Sequence, residues 1–314
     1  MHPSAEFHYD AASALSQGQR ETQEDAIAAD FPVGAGVGFA VLADGMGGHA
    51  AGDIASGIVV TEVFSELKLR AADPDFLERN IAQVLHDAAF DANDCVGHHV
   101  ASHPRSHGMG ATLVAPVFLG NRLYWISVGD SPLFLFRDGR LRRLNADHSL
   151  TPQIDYLASR GLMATEEALN HPDRNCLTSV LFGHEIALID CPAEPVSLQA
   201  NDIVVAASDG LLFLEEEEIE GIIQSYADRT SSEISSRLLA ALANLDDPDQ
   251  DNVSLCVIKV NRSGIEAAED GQMSSATLPR PVPMPRARDS LTVMVNGSKT
   301  RQMLMYRAKA GRSA

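Results

Sequence analysis

The amino-acid sequence predicts an α+β fold: a four-layer α-β-β-α sandwich, with two central antiparallel β-sheets flanked by helix pairs. Three observations lead to this expectation. Apolar runs of strand length recur through residues 1–262, and neighbouring runs are joined by turn signals such as Gly120-Asn121 and Asp138-Gly139. Two stretches with helical spacing follow the first hairpin, and two more stand late in the chain. Hydrophobic residues make up 45% of the 314 residues and aromatic ones 5%, so the core is large and mainly aliphatic.

Taken in order, residues 5–15 read as a first strand carrying Phe7 and Tyr9. A polar stretch, Gly18-Gln19-Arg20-Glu21-Thr22-Gln23-Glu24-Asp25, leads into a short second strand at 26–29. Residues 37–42 form the third, which runs into Asp44-Gly45-Met46-Gly47-Gly48-His49. A helix follows over 52–69, with Ile54 and Ile58 four apart and Val59, Val63 and Leu67 likewise. Asp73-Pro74 starts a second helix, expected to run to about Cys95. Residues 97–110 read as a loop bearing His98, His99, His103 and His107, whose spacing matches no common zinc site. Strands are expected over 111–119, 122–128, 133–137 and 140–144 as an antiparallel meander, then over 186–189 and 203–207. The intervening segment 145–181, with short helices at 155–160 and 165–169, reads as a lid beside the site. Helices at 215–226 and 231–245 and a closing strand at 253–260 complete the domain, residues 1–262. Beyond it, 263–314 carries eight Lys/Arg against four Asp/Glu. Its first part is a Pro/Ser-rich linker. Its end reads as a short hairpin, 291–295 and 302–306, flanking Asn296-Gly297 and a basic stretch.

Composition excludes several function classes. A formal net charge of −19 disfavours a nucleic-acid backbone or an anionic membrane as main partner. Four dispersed cysteines without a Cys-x-x-Cys offer neither structural zinc nor a disulfide framework. No apolar run reaches membrane-spanning length, and the first 30 residues lack a signal-peptide core. The expectation is a cytoplasmic, monomeric protein.

The chemistry is read from acids at strand ends. Asp44, Asp130 and Asp209 each close an apolar run, and Asp251 opens one. Such acids converge on one edge of a sheet pair, and carboxylates gathered without a cation repel one another. Hard oxygen donors suit Mg2+ or Mn2+. Asp44, Asp209 and Asp251 can share one ion. Asp44 can bridge to a second, reached by Glu24 or Asp25 and by the Gly45 carbonyl. Two such ions activate a water and stabilise a phosphoryl group under attack. Arg20, a few residues before the acidic pair, matches two phosphate oxygens.

The ordered set Arg20-Glu-Thr-Gln-Glu-Asp25, Asp44-Gly45-Met-Gly-Gly-His49, Gly108-Met-Gly-Ala-Thr112, Gly129-Asp130-Ser131, Ser208-Asp209-Gly210 and Asp251-Asn252 resembles the metal-dependent protein phosphatases. This is the protein phosphatase 2C family, in its bacterial branch, and the resemblance covers residues 5–260. It implies two core Mg2+ or Mn2+ ions and hydrolysis of phosphoserine or phosphothreonine in proteins by a hydroxide bridging them. The phosphoprotein partner is then a substrate of a cognate protein kinase. It also implies that Asp44, Asp209 and Asp251 ligate the core ions, that Glu24 and Asp25 lie at the second, that Arg20 binds the phosphate, and that Asp130 helps hold a third, weaker ion. Segment 145–181 becomes a flap whose sequence varies with substrate.

Three positions depart from that pattern. Gln23 stands where the family often has Asn, and Pro132 where Arg is commoner. Met46 stands where many eukaryotic members place a histidine. None removes a core ligand. His49 is expected to make a structural hydrogen bond near its turn, and Thr112 to pack or hydrogen-bond beneath the site. Ser131 and Ser208 lack the partnered histidine a nucleophile needs. Two other functions fit the same fold: a catalytically silent phosphoprotein-binding module, and a phosphatase for small metabolites.

Overall fold

The computed structural model describes residues 7–47, 51–262, 292–297 and 300–305. His49 and the linker lie outside the described residues. The chain runs β1 (Phe7–Ser16), β2 (Ala26–Asp30), β3 (Val37–Ala43), β4 (Gly45–Met46), α1 (Gly52–Arg70), α2 (Pro74–Arg79) and α3 (Ile81–Ser102). The meander follows as β5 (Gly110–Ala111), β6 (Leu113–Leu119), β7 (Arg122–Val128), β8 (Leu133–Arg137) and β9 (Arg140–Arg143). Next come α4 (Thr151–Ser159), α5 (Thr165–Leu169), β10 (Val196–Ser197) and β11 (Ile203–Ala207). The last elements are α6 (Glu216–Ser225), α7 (Ser231–Leu245), β12 (Val253–Arg262), β13 (Thr292–Gly297) and β14 (Thr300–Met305).

Two antiparallel sheets stack between helices. One has the order β14-β13-β1-β12-β11-β8-β9, the other β10-β7-β6-β3-β2. Alternation along each strand divides its side chains between two buried layers. From β3, Ala40 and Leu42 meet Val204, Ala206, Cys256 and Ile258 between the sheets. Phe39, Val41 and Ala43 turn outward onto Val59, Val63 and Leu67 of α1 and Ala88, Ala92 and Val96 of α3. On the opposite side, Val205, Leu255 and Val257 pack under Ile219 and Ile223 of α6 and Leu238 and Leu242 of α7. Strands covered on both faces therefore read as unbroken apolar runs. Leu42 is fully buried, and truncating such a side chain to alanine costs about 2–5 kcal/mol.

The turns follow their signals. Asp138 (φ 52°) and Gly139 (φ 75°) reverse the chain between β8 and β9 in the left-handed region. Asp73 caps α2, its side chain accepting from the Phe76 N–H, with Pro74 in the first turn. The helix expected to start there is interrupted at Asn80 (φ −122°). It resumes as α3 and runs to Ser102, so residues 97–102, read as loop, are helical and take His98 and His99 with them. Gly97 is not a terminator. A Cβ there would come within 2.9 Å of the Gly183 Cα, so the glycine lets the returning chain pack against the helix backbone.

One further expectation is corrected. Residues 186–189 form no strand; Asp190 makes a single bridge to Ser127, while Ile186 and Ile189 pack beneath α1 and α3 as partly buried apolar residues. In the tail, β13 runs through Asn296 and Gly297, and Gly297 lies opposite Thr300 of β14. That hairpin pairs antiparallel with β1, Val295 opposite Ala12 and Thr292 opposite Leu15.

Candidate active site

Both sheets deliver acids to the same end of the sandwich. Asp44 follows β3, Asp130 follows β7 through Gly129, Asp209 follows β11 through Ser208, and Asp251 precedes β12. They line one cavity of about 540 Å3 together with Arg20, Glu24, Gly45 and Met46. The segment 145–181 contributes Asn175 and Leu177 to the same wall.

Electrostatics mark the cluster as a set of buried acids short of compensating positive charge. Burial, then the charges of Asp25 and Asp209, hold the Asp44 carboxyl well above the usual carboxylate range. Burial and the nearby Asp251 raise Asp209 as well. Asp130 is pushed up to about 7 by burial and by Asp209 and Asp147. Neutral carboxyls are the response of buried acids that lack a compensating positive charge.

Glu24 and Asp25 separate into two roles because adjacent residues at a strand entrance point opposite ways. Glu24 faces the cavity. Asp25 is 7% exposed and lies beneath it, accepting from the Ser208 hydroxyl at 2.7 Å. Burial, outweighing that hydrogen bond, pushes Asp25 to about 7. Its Oδ1 and the Oδ1 of Asp209 are buried and find no hydrogen-bond partner.

Gly45 and Gly52 make room around Glu24. The Gly45 N–H donates to the Glu24 carbonyl at 3.1 Å. A Cβ on Gly52 would stand 2.5 Å from Glu24 Oε2 and 2.9 Å from the Gly45 carbonyl oxygen. Two hard oxygens thus flank the space that a side chain would fill. Among the described residues no three His, Cys, Asp or Glu side chains already form a closed ion-binding group. The donor chemistry, the orphaned carboxylate oxygens and the Gly52 recess nonetheless fit a hard divalent cation, which would supply the charge the acids lack.

Arg20 reaches over the acids and pairs with Asp251, Nη2 to Oδ2 at 2.5 Å. The loop that carries it is closed by amide side chains. Gln17 Nε2 donates to the carbonyls of Arg20 (2.8 Å) and Glu21 (2.9 Å), and Gln23 Nε2 to that of Ser16 (2.9 Å). Gln23 therefore fulfils a loop-closing task despite its departure from the usual Asn. Thr112 sits under Asp44 as expected and also touches Ser131, hydroxyl to hydroxyl at 2.8 Å.

A family model of protein phosphatase 2C matches residues 12–245, a span that holds Arg20, Glu24, Asp25, Asp44, Asp130 and Asp209. The chain belongs to the protein phosphatase 2C family. Over 181 residues it is 35% identical to the serine/threonine protein phosphatase PstP of Mycobacterium tuberculosis, covering 56% of this chain and 32% of that protein. The chain thus spans about a third of the length of that relative. It is 31% identical to the serine/threonine phosphatase stp of Listeria monocytogenes over 229 residues, covering 73% of this chain and 87% of that one. The crystal structure of the catalytic domain of PstP in complex with two manganese ions superposes with a TM-score of 0.62 at 30% identity. That match covers 81% of this chain and 99% of the other.

Within this 2C framework the sequence left three structural residues without a role. Asn252 stitches the Arg20 loop to the domain. Asn93 of α3 is 3% exposed and pins the returning chain: its Oδ1 accepts from the N–H groups of Phe182 and Gly183, each at 2.9 Å. Its Nδ2 donates to the His184 carbonyl at 2.7 Å. His148 accepts the Gly129 N–H at its Nδ1 (3.2 Å), and burial lowers the ring from its ordinary value, so it stays neutral. Each partner lies many residues away, and only the amide or imidazole type hints at such a task.

Proposed function

We propose that this chain is a metal-dependent protein phosphatase that hydrolyses phosphoserine and phosphothreonine monoesters in proteins. The observation that supports it is a single cavity lined by acids from both sheets with one guanidinium at its rim. Asp44, Asp209 and Asp251 would hold one Mg2+ or Mn2+ ion. Asp44, Glu24 and the Gly45 carbonyl would hold the second, and Asp130 a third, weaker one. When bound, such ions activate water at neutral pH and stabilise charge on the phosphoryl oxygens.

The chain's own groups do the rest. Arg20 is the phosphate-binding group, its planar donors matched to two non-bridging oxygens. It lies within reach of Asp251, so the phosphate is held directly over the acids. Met46, on the cavity wall, cannot donate a proton, which leaves solvent to protonate the departing serine or threonine. Asp25 lies below the ligand layer, where its bond from Ser208 ties it to the Asp209 turn. Asn175 and Leu177 line the cavity, so the 145–181 segment would meet the substrate residues that flank the phosphate.

Purified protein with Mn2+ is expected to release phosphate from a phosphothreonine peptide and to stop on chelation. Asp209→Asn should remove turnover while leaving the fold intact. Turnover that persists in chelator would overturn this reading.

A further inference from the structure

We propose that Asn252 is the positioning residue that fixes the phosphate-binding arm relative to the acids. This proposal rests on the phosphatase reading above and adds to it the part that sets the geometry of substrate capture. Asn252 is 5% exposed. Its Nδ2 donates to the Gln17 carbonyl at 2.8 Å and to the Thr22 carbonyl at 2.9 Å. Its Oδ1 accepts the Glu24 N–H at 2.7 Å. Both amide protons and the amide oxygen are therefore in use, and they grip the Arg20 loop on either side of the arginine.

The backbone of Asn252 is engaged as well. Its N–H donates to Asp251 Oδ1 at 2.7 Å, orienting the carboxylate whose other oxygen meets Arg20. Its carbonyl oxygen lies where a Cβ on Gly210 would come within 2.0 Å, so the residue after Asp209 packs directly against it. One residue thus joins Asp251, Glu24, the Arg20 arm and the Asp209 turn.

The other ties of the loop do not substitute for it. The side-chain amides of Gln17 and Gln23 bond only within residues 16–25 and close the loop on itself. Gln19 N–H reaches the Gln250 carbonyl at 2.9 Å, a backbone tie at the tip of the same strand entrance. Asn252 alone among these amides spans from the domain body to both flanks of Arg20. A group 1 Å out of place costs on the order of 100-fold in rate, so the grip matters to capture as well as to folding.

The test is a double-mutant cycle read on phosphate binding. Asn252→Ala is compared with Arg20→Ala and with the double variant, using Mn2+-loaded enzyme, a phosphothreonine peptide and orthophosphate as competitor. Asn252→Ala should raise KM and the orthophosphate inhibition constant at least about tenfold, with kcat changed less. In the Arg20→Ala background it should add less than about threefold, because its effect passes through Arg20. A merely structural asparagine would lower thermal stability and leave the inhibition constant unchanged, or would multiply with the Arg20 effect; either result overturns the proposal. Hydrogen exchange in the folded Asn252→Ser variant gives an activity-free reading. The Glu24 amide should exchange faster than in the wild type, and unchanged exchange there refutes the grip. Absence of turnover in the wild type would refute the phosphatase reading, while the exchange comparison and Mn2+-dependent orthophosphate binding would still decide the role of Asn252.

Discussion

Thr112 holds Asp44 from both sides of its peptide: the Thr112 Oγ1 accepts the Asp44 N–H at 2.9 Å, and the Thr112 N–H donates to the Asp44 carbonyl at 2.9 Å. The same hydroxyl meets Ser131, next to Asp130. A β-branched hydroxyl at this place locks the acid that would bridge two ions. Thr112→Val keeps the shape and removes the oxygen, leaving a buried N–H and a buried hydroxyl without a partner. The expected cost is about 1–3 kcal/mol of stability by denaturant titration, with a lower kcat. Thr112→Ser should restore most of both.

The recess at Gly52 weighs on ion binding more than on folding. Alanine there adds a methyl group 2.5 Å from Glu24 Oε2, which can swing aside, and 2.9 Å from the Gly45 carbonyl oxygen, a backbone atom that must shift. Gly52 opens α1, where alanine is the better helix former by roughly 0.5–1 kcal/mol. Gly52→Ala is therefore expected to hold or modestly lower the melting temperature, the helix gain offsetting part of the backbone shift, while weakening Mn2+ binding at the second ion at least about tenfold. Titration calorimetry that finds two unchanged Mn2+ sites would contradict this.

The acids also set a pH dependence whose sign can be worked out. Asp25 and Asp130, ordinarily at 3.8, are each pushed up to about 7 in the folded chain. A carboxyl raised on folding binds its proton more tightly in the folded state, so its contribution is fully present below the unfolded value. It is lost as pH rises through about 7. Metal-stripped protein should therefore lose stability between roughly pH 4 and pH 7 through these groups. A bound cation takes the place of the protons, so the melting-temperature gain on adding Mn2+ should grow across that range. Calorimetric scans at several pH values, with chelator or Mn2+, check it; a gain independent of pH is the opposing result.

Asn93 ties the segment that walls the cavity to α3. Asn93→Ala leaves three backbone groups of residues 182–184 without their partner. The expected outcome is faster proteolytic nicking within 145–185 and a higher KM for a phosphopeptide. Turnover of p-nitrophenyl phosphate, which needs no wall, should change much less. Equal losses on both substrates would place the effect at the acids instead.

The layers and the acids were legible because each rests on a local signal. The run 203–207 is apolar throughout, and 253–258 is interrupted only by the buried Ser254, since a strand covered on both faces has no solvent side to mark. Asp44 and Asp209 were legible because a carboxylate that ends such a run has nowhere to go but the sheet edge. The misreadings share another cause. Gly97 was read as a loop residue when its task is close packing against Gly183, a contact that no local spacing records. Glu24 and Asp25 could not be separated by type; the strand entrance separates them by direction. Asn252 stood in a quoted motif without a role, because its partners at Gln17, Thr22 and Glu24 come from the other end of the chain.

The tail hairpin has a consequence for solubility. Lying along Ala12–Leu15, β13 occupies backbone donors and acceptors that would otherwise face outward from the seven-stranded sheet. An uncovered strand of that kind templates pairing with foreign chains. A version shortened after Arg262 would move that edge from β14 to β1, and stronger concentration-dependent self-association of the shortened chain would mark β1 as the better template, however intact its acid-lined cavity.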